Sequence, residues 1–438
     1  MVIVVASEKS TEADLLSKPT NILRKGAILL IVVALLAATL AYFYRKGDGE
    51  LPVYTTAISR MVDGAEIYRT SENKAFTYPP FAAIPFLPFL ALPPELHNAL
   101  WYLVNISVFF YIFRQLTGLV QRWLPGEESL GLRRFFWVFL LLLVVRHLSS
   151  VFESKANDII MLLLMFEAAR LATLDRFSSV GILAGIGAAF KATPWLFLPI
   201  LIWQRRFIAA AILIAAAMTA HLAPDIVFPR KDGNSWTMNW YSTFLSSVRV
   251  DTPVDADGAW SAWNQLNQSL TATLYRLSTP FDATLVHRNN VNLWTLKDST
   301  LSILNISAQL FVLLLLVLAT QHRETTELRR FGQAGAVLCA MLLLSPMSSK
   351  SHFGVLMVPF SFCVIELVRD PRRLVIAIHL ALIFMLGTLT SKGILGKDLG
   401  NLVLAYGSIT WLTLLTLTGS LYLLRRPTAP SEIPHSLR

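Results

Sequence analysis

Residues 79–93 read PPFAAIPFLPFLALP, and the placement of this stretch decides the fold of the whole chain. It is apolar enough to enter a bilayer. It also carries Pro79, Pro80, Pro85, Pro88 and Pro93, with Pro94 next. Proline removes a backbone donor and costs about 3 kcal/mol inside a helix. A lipid-exposed crossing cannot leave that many backbone groups unpaired. The stretch is therefore expected to be a broken segment lying in one face of a membrane. If it crossed, every later loop would change sides.

The rest of the chain supplies the membrane. Of 438 residues, 54% are hydrophobic and only 15% charged, against about 25% charged in soluble domains. Many apolar runs approach the roughly 20 residues that a crossing needs. The strongest lie near 26–44, 97–116, 133–148, 157–174, 179–190, 193–203, 207–224, 299–319, 331–345, 353–368, 372–391 and 401–424. The net charge of +10 fits lysines and arginines gathered on cytoplasmic loops better than a nucleic-acid partner. Cys339 and Cys363 both fall inside apolar runs, so neither a disulfide framework nor a cysteine metal site is expected. No phosphate-binding glycine loop, dinucleotide fingerprint or HExxH pair is present, and no cofactor or metal is called for.

The loops are of two kinds, and they alternate. One kind is arginine-rich: Arg133/Arg134, Arg170/Arg176, Arg205/Arg206, Arg323/Arg329/Arg330, Arg369/Arg372/Arg373 and Arg425/Arg426. The other is polar but arginine-poor: SSVFESKAND, KATP, the long segment 229–298, SPMSSKSH and SKGILGKDLG. The arginine set is placed inside by the positive-inside rule. The expected protein is all-α and polytopic, with about twelve transmembrane helices and both termini in the cytoplasm. Residues 1–25 form a cytoplasmic tail, 26–424 one membrane domain, and 425–438 a disordered cytoplasmic tail. Residues 45–96 and 229–298 form two large outer loops.

Polar groups converge on the outer side: Asp48 and Glu50; Arg146 and His147; Lys155, Asn157 and Asp158; Lys191; Asn264, Asn267 and Gln268; Lys350 and His352. Membrane-edge groups of this kind mark function, because their desolvation is costly. Pro52 suits a first helical turn and Gly64 can end a helix lying on the membrane, with Val53, Ala57, Ile58, Met61 and Val62 on its apolar side. Glu50 then sits at the helix amino terminus, where the macrodipole favours an ionised carboxylate. A carboxylate there is either a general base or an ordinary helix-start acid. Lys191 is either a snorkelling lysine or a phosphate ligand, and Lys350 with His352 can bind phosphate through charge-assisted hydrogen bonds.

Taken in order, ELPVYTTAISRMVDGAEIY, FTYPPFAAIPFLPFLALP, ALWYLVN, KANDIIMLLLM, LAGIGAAFKATPWLFLPILIWQRR, NQSL and SPMSSKSH resemble glycosyltransferase family 87. These are polyprenyl-phosphate-sugar-dependent enzymes with the GT-C membrane fold. The chain carries Glu50 where the family pattern D-x-x-V-Y has aspartate, and Asp48 stands two residues earlier as the alternative base. The resemblance implies a polyprenyl-phosphate sugar donor, mannose by analogy, whose phosphate meets Lys191, Lys350 or His352. It also implies sugar or acceptor contacts from Tyr54, Asn157, Asp158, Asn267 and Gln268. Glu50 or Asp48 then deprotonates a hydroxyl of a lipid or glycan acceptor, and the anomeric configuration inverts. The expected location is the inner (plasma) membrane, with the site facing the periplasm or exterior. The rival reading is a lipid-linked sugar flippase or transporter of the cell envelope. It predicts repeated halves and helices broken near the midplane, and no convincing internal repeat is present.

Overall fold

The structure is a computed structural model that describes residues 33–254, 258–281, 289–321, 326–370 and 373–426. The expected tail 1–25 and most of 425–438 lie outside them. Clustering divides the chain into Met1–Gly49 and Glu50–Arg438. In the first unit, Val33–Arg45 is an apolar helix. The described residues of the second are helical, and the sole β contact among them is an isolated bridge between Asn267 and Ser349.

Five helical segments of the described residues are long and apolar enough to cross a membrane: Pro94–Trp123, Glu127–Ser154, Phe207–Val227, Asp298–Thr320 and Lys350–Arg369. A sixth results if Lys397–Ala405 and Ser408–Arg425, bent by 55°, count as one. Several other expected runs form shorter helices, such as the 14-residue Phe177–Phe190, about 21 Å long at 1.5 Å per residue.

Residues 79–93 are more regular than expected. Pro80–Ala91 is one continuous 3₁₀ helix of 12 residues with Pro85 and Pro88 inside it. Three residues per turn explain how it tolerates them. Ala83, Phe86 and Phe89 recur every third residue and are buried, while Pro88 faces outward. The missing donors therefore fall on one stripe, and the apolar side chains on another. At the far end, the His97 imidazole lies 2.9 Å and 3.1 Å from the Phe89 and Leu92 carbonyls. Phe86 stacks on Tyr54 at 4.6 Å and packs against Trp101 at 4.9 Å.

The two loop types occupy opposite ends of at least one helix. At the carboxyl end of Asp158–Thr173, Arg330 donates to the Thr173 carbonyl at 2.6 Å, and Arg206 pairs with Asp175 at 3.1 Å. Asp158, at the other end, belongs to the polar cluster described below.

Phe177–Phe190 packs directly on Phe207–Val227 through glycine. A Cβ on Gly181 would meet the Ala209 carbonyl oxygen at 2.4 Å, and one on Gly185 the Leu213 oxygen at 2.5 Å. This is the small-xxx-small contact of membrane helices. Gly185→Val is expected to lower the thermal midpoint in detergent, at an overpacking cost of about 1–3 kcal/mol or more. Gly118→Ala, with nothing within 4 Å of the new methyl, is the control and should not lower it.

Candidate active site

A cavity of ≈ 160 Å³ is bounded by Tyr78 and Pro79, Asp158, Lys191, the Trp240, Phe244, Val248 and Val254 side, and Ser345–Ser348 with His352. Its deeper wall is apolar: Met161, Met165, Met341, Leu342 and Val355. Asp158 is the polar centre. It is buried at the start of the Asp158–Thr173 helix, where unpaired amides favour a carboxylate. Lys191 Nζ lies 2.7 Å from Asp158 Oδ1, and His352 Nε2 lies 3.6 Å from the same oxygen. The Ser351 hydroxyl also donates to this carboxylate. The Ser349 amide donates to His352 Nδ1 at 3.2 Å, so the neutral ring carries its proton on Nε2, toward Asp158.

Local sequence explains how Lys191 reaches the centre. The Phe177–Phe190 helix stops at Lys191, whose backbone is extended at φ −151°, and Pro194 begins a new 3₁₀ turn. The ammonium group is thereby freed from the helix side. It also lies over the Tyr78 ring, 5.2 Å from its centroid.

Glu50 is not among the residues that line this cavity, and it is linked to the centre through the charges of Asp158 and Lys191. The Leu51–Val62 helix begins after it, with proline in the first turn, and buries Leu51, Tyr54, Ala57, Ile58 and Met61. Gly64 follows the helix in the left-handed conformation at φ +65°. The Glu50 amide donates to the Ser154 carbonyl at 2.9 Å, which ties this helix start to the turn preceding Asp158. Its carboxyl makes no capping hydrogen bond. Burial first, and then the Asp158 charge, push it up to about 7, while Lys191 and Lys74 hold it down. The helix start alone predicts an ionised acid, and burial outweighs that pull. A carboxyl poised near neutrality suits proton exchange. Asp48 is exposed and belongs to the Met1–Gly49 unit.

Tyr54 and Asn157 support this arrangement. The buried Tyr54 hydroxyl donates to Asn157 Oδ1 at 3.2 Å, and Asn157 Nδ2 is buried without a hydrogen-bond partner. Burial drives both the Tyr54 and Tyr78 hydroxyls well above their ordinary pKa. They are therefore neutral donors at any physiological pH.

The remaining expected residues lie differently. Lys350 does not line the cavity, and its charge acts instead on His147. The Gln268 amide is engaged structurally. Its Nε2 donates to the Gln265 and Leu404 carbonyls at 2.6 Å and 2.7 Å, and its Oε1 accepts from the Ile409 amide at 3.2 Å. Asn267 Oδ1 accepts from the Ser269 and Ser348 amides, each at 3.2 Å, and so fastens the NQSL turn to the SPMSSKSH turn. Arg146 is held by the Gly387 carbonyl and the Thr390 hydroxyl, and Lys155 by Asn98 at 2.7 Å.

Sequence reading passed over Tyr78, Ser351 and Arg276. The fully buried Arg276 guanidinium donates to the Ala405, Ala262 and Asn267 carbonyls at 3.0, 2.6 and 2.9 Å. Nothing in the sequence distinguished it, since the segment 229–298 also carries Arg230, Arg249 and Arg288.

Residues 76–346, over half of the chain, match the profile of glycosyltransferase family 87. A 199-residue stretch, 43% of the chain, is 28% identical to a polyprenol-phosphate-mannose-dependent alpha-(1-2)-phosphatidylinositol pentamannoside mannosyltransferase of Mycobacterium tuberculosis (strain CDC 1551 / Oshkosh). The match covers 44% of that relative, so the chain spans less than half of its length. No solved structure matches.

Proposed function

The chain belongs to glycosyltransferase family 87, and from that premise we propose that it is a membrane enzyme moving mannose from a polyprenyl-phosphate donor to a hydroxyl of a lipid or glycan acceptor. One observation carries the reading. The partly exposed Lys191 and the buried Asp158, 2.7 Å apart with His352 beside them, line a cavity whose other lining residues are largely apolar. A lipid phosphate has the same division, one charged group on an apolar tail.

In this mechanism the donor phosphate meets Lys191 and His352, with Lys350 adding positive charge from farther away. Glu50 takes the proton of the acceptor hydroxyl as its oxygen attacks the anomeric carbon. The bond from that carbon to the phosphate oxygen breaks through an oxocarbenium-like state. Its electron pair leaves with the polyprenyl phosphate, and fixed cations stabilise the growing charge. Attack from the opposite face inverts the anomeric centre. Tyr54 and Asn157 contact sugar or acceptor beside Asp158, while Asn267 and Gln268 act from behind by holding the turn that carries His352.

The proposed topology is the one read from the charges: about twelve crossings of the inner membrane in one domain, 26–424, with the site and the loops 45–96 and 229–298 outside. Shorter helices such as Phe177–Phe190 complete crossings together with their neighbours. Single cysteines at the exposed positions Ser71 and Ser261 should react with an impermeant maleimide on intact cells, and one at the exposed Thr326 should not. Labelling at 326 would reverse the orientation.

The function itself is tested with purified protein, a crude membrane-lipid extract and three radiolabelled donors: polyprenyl phosphate mannose, a nucleotide sugar and a polyprenyl-diphosphate oligosaccharide. Label should reach lipid from the first alone. Transfer from either of the others instead, or from none, contradicts the reading. Asp48→Asn is expected to leave transfer unchanged in the same assay, since Asp48 is exposed and takes no part in the mechanism. Loss of activity there would move the base from Glu50 to Asp48.

A further inference from the structure

Tyr78 lines the main cavity, and the mechanism above gives it no task. It is held firmly for a residue outside any helix. Two prolines follow it: Pro79, with φ −51° and ψ 149°, and Pro80, which opens the 3₁₀ helix. A residue before proline is itself biased toward extended backbone. The Tyr78 carbonyl accepts from the Tyr68 hydroxyl at 3.1 Å, and the Thr77 carbonyl accepts from Trp240 Nε1 at 3.1 Å. The ring stacks on Tyr54 at 5.6 Å and packs against Phe76 at 6.0 Å. The Tyr78 hydroxyl is a hydrogen-bond neighbour of Tyr54.

Lys191 is the flexible member of the site. Its ammonium bonds Asp158 Oδ1 at 2.7 Å. About one such bond, a four-carbon side chain can pivot, and Asp158 draws the cation toward itself. The Tyr78 ring supplies a second point of attachment. Lys191 Nζ lies 5.2 Å from its centroid, within the roughly 6 Å over which an aromatic face attracts a cation. A second carboxylate in this place would also hold the lysine, but its charge would repel a phosphate. A ring face attracts the cation and carries no net charge.

We propose that Tyr78 is the positioning residue for Lys191. The ring face and Asp158 Oδ1 fix the ammonium at two points, and its remaining N–H donors are thereby aimed at an anionic oxygen of a prenyl phosphate. The ring does this, not the hydroxyl. The identity of the ligand rests on the transferase reading, but the hold of the ring on the ammonium does not.

The test uses farnesyl phosphate as probe, with titration calorimetry on the full chain in detergent. Tyr78→Leu should weaken its binding roughly tenfold, the size of a partly desolvated cation–π contact. Tyr78→Phe, which returns the ring without the hydroxyl, should recover most of that loss. Trifluorophenylalanine in place of Tyr78 keeps the ring's shape but strips charge from its face, so the loss should return while the thermal midpoint stays at that of Tyr78→Phe. With Lys191→Met and Asp158→Asn already in place, Tyr78→Leu should weaken binding no further. Equal binding by the phenylalanine and trifluorophenylalanine proteins, or a further loss without Lys191, overturns the assignment. If the wild type transfers nothing from polyprenyl phosphate mannose while farnesyl phosphate binding follows the charge on the ring face, the donor reading falls and the positioning role stands. If transfer proceeds with the same donor KM in Tyr78→Leu as in the wild type, the donor reading stands and the positioning role falls.

Discussion

Glu50→Gln is expected to lower the transfer rate by roughly a hundred- to ten-thousandfold, the usual range for loss of a general base. Glutamine keeps the length of the side chain and the hydrogen bond that the residue-50 backbone N–H donates to the Ser154 carbonyl. It cannot accept a proton. The carboxyl it replaces is pushed up to about 7 by burial and by Asp158, so the native group exchanges a proton near neutrality where an ordinary surface glutamate does not. Donor affinity should stay near wild type, because Lys191 and His352 lie on other segments. Comparing kcat with donor KM separates the two effects. Unchanged turnover in Glu50→Gln would reduce Glu50 to a helix-start acid. Glu50→Asp should keep partial activity, since the charge remains on a shorter arm.

Lys191→Ala is expected to lose both donor use and stability. One hydrogen bond from a charged group to phosphate is worth roughly 1.5–3 kcal/mol, about ten- to a hundredfold in donor affinity. The variant also strands the buried Asp158 carboxylate, and breaking a buried ion pair by removing one partner costs about 3–5 kcal/mol. The double variant Lys191→Met with Asp158→Asn separates these effects. It should recover much of the thermal stability and none of the donor affinity. Lys191 also holds the Glu50 carboxyl down. Without that cation, the pH below which Glu50 is protonated moves upward, and residual activity should fall off at a higher pH than in the wild type. A purely structural lysine would lower stability without moving the pH profile.

Much of this arrangement was legible in the residues, for identifiable reasons. Proline spacing led to an expected break in 79–93, and periodicity alone did not reveal that Pro80–Ala91 forms a regular 3₁₀ helix with Pro88 facing outward. At one helix the ends differ as the loop types do, with Arg330 at the Thr173 carbonyl and Lys191 at Asp158. The sequence reading put Lys191 and His352 at the donor phosphate and Asp158 among the sugar or acceptor contacts, without saying that Lys191 and His352 both face Asp158 Oδ1. Lys350 and His352 looked like a pair because they are close in sequence. In the 3₁₀ turn Lys350–Leu356, residues two apart point in different directions, so His352 lines the cavity and Lys350 does not. Amide-rich NQSL suggested sugar contacts, yet its carboxamides bind backbone across three segments. Such long-range pairings leave no local periodicity. The raised Glu50 carboxyl was likewise out of reach, because burial by distant segments outweighs the local helix start.

The central claim is that Glu50 acts as the base beside a cationic phosphate site. It is tested most directly by the pH dependence of kcat/KM for transfer from polyprenyl phosphate mannose, measured on the wild type between pH 5 and 9. Only the ionised carboxylate accepts a proton. A group with a pKa of about 7 therefore predicts a plateau above neutrality and a fall approaching about tenfold per pH unit below it. A rate that stays level from pH 8 down to pH 5 would contradict a base of this kind at this site.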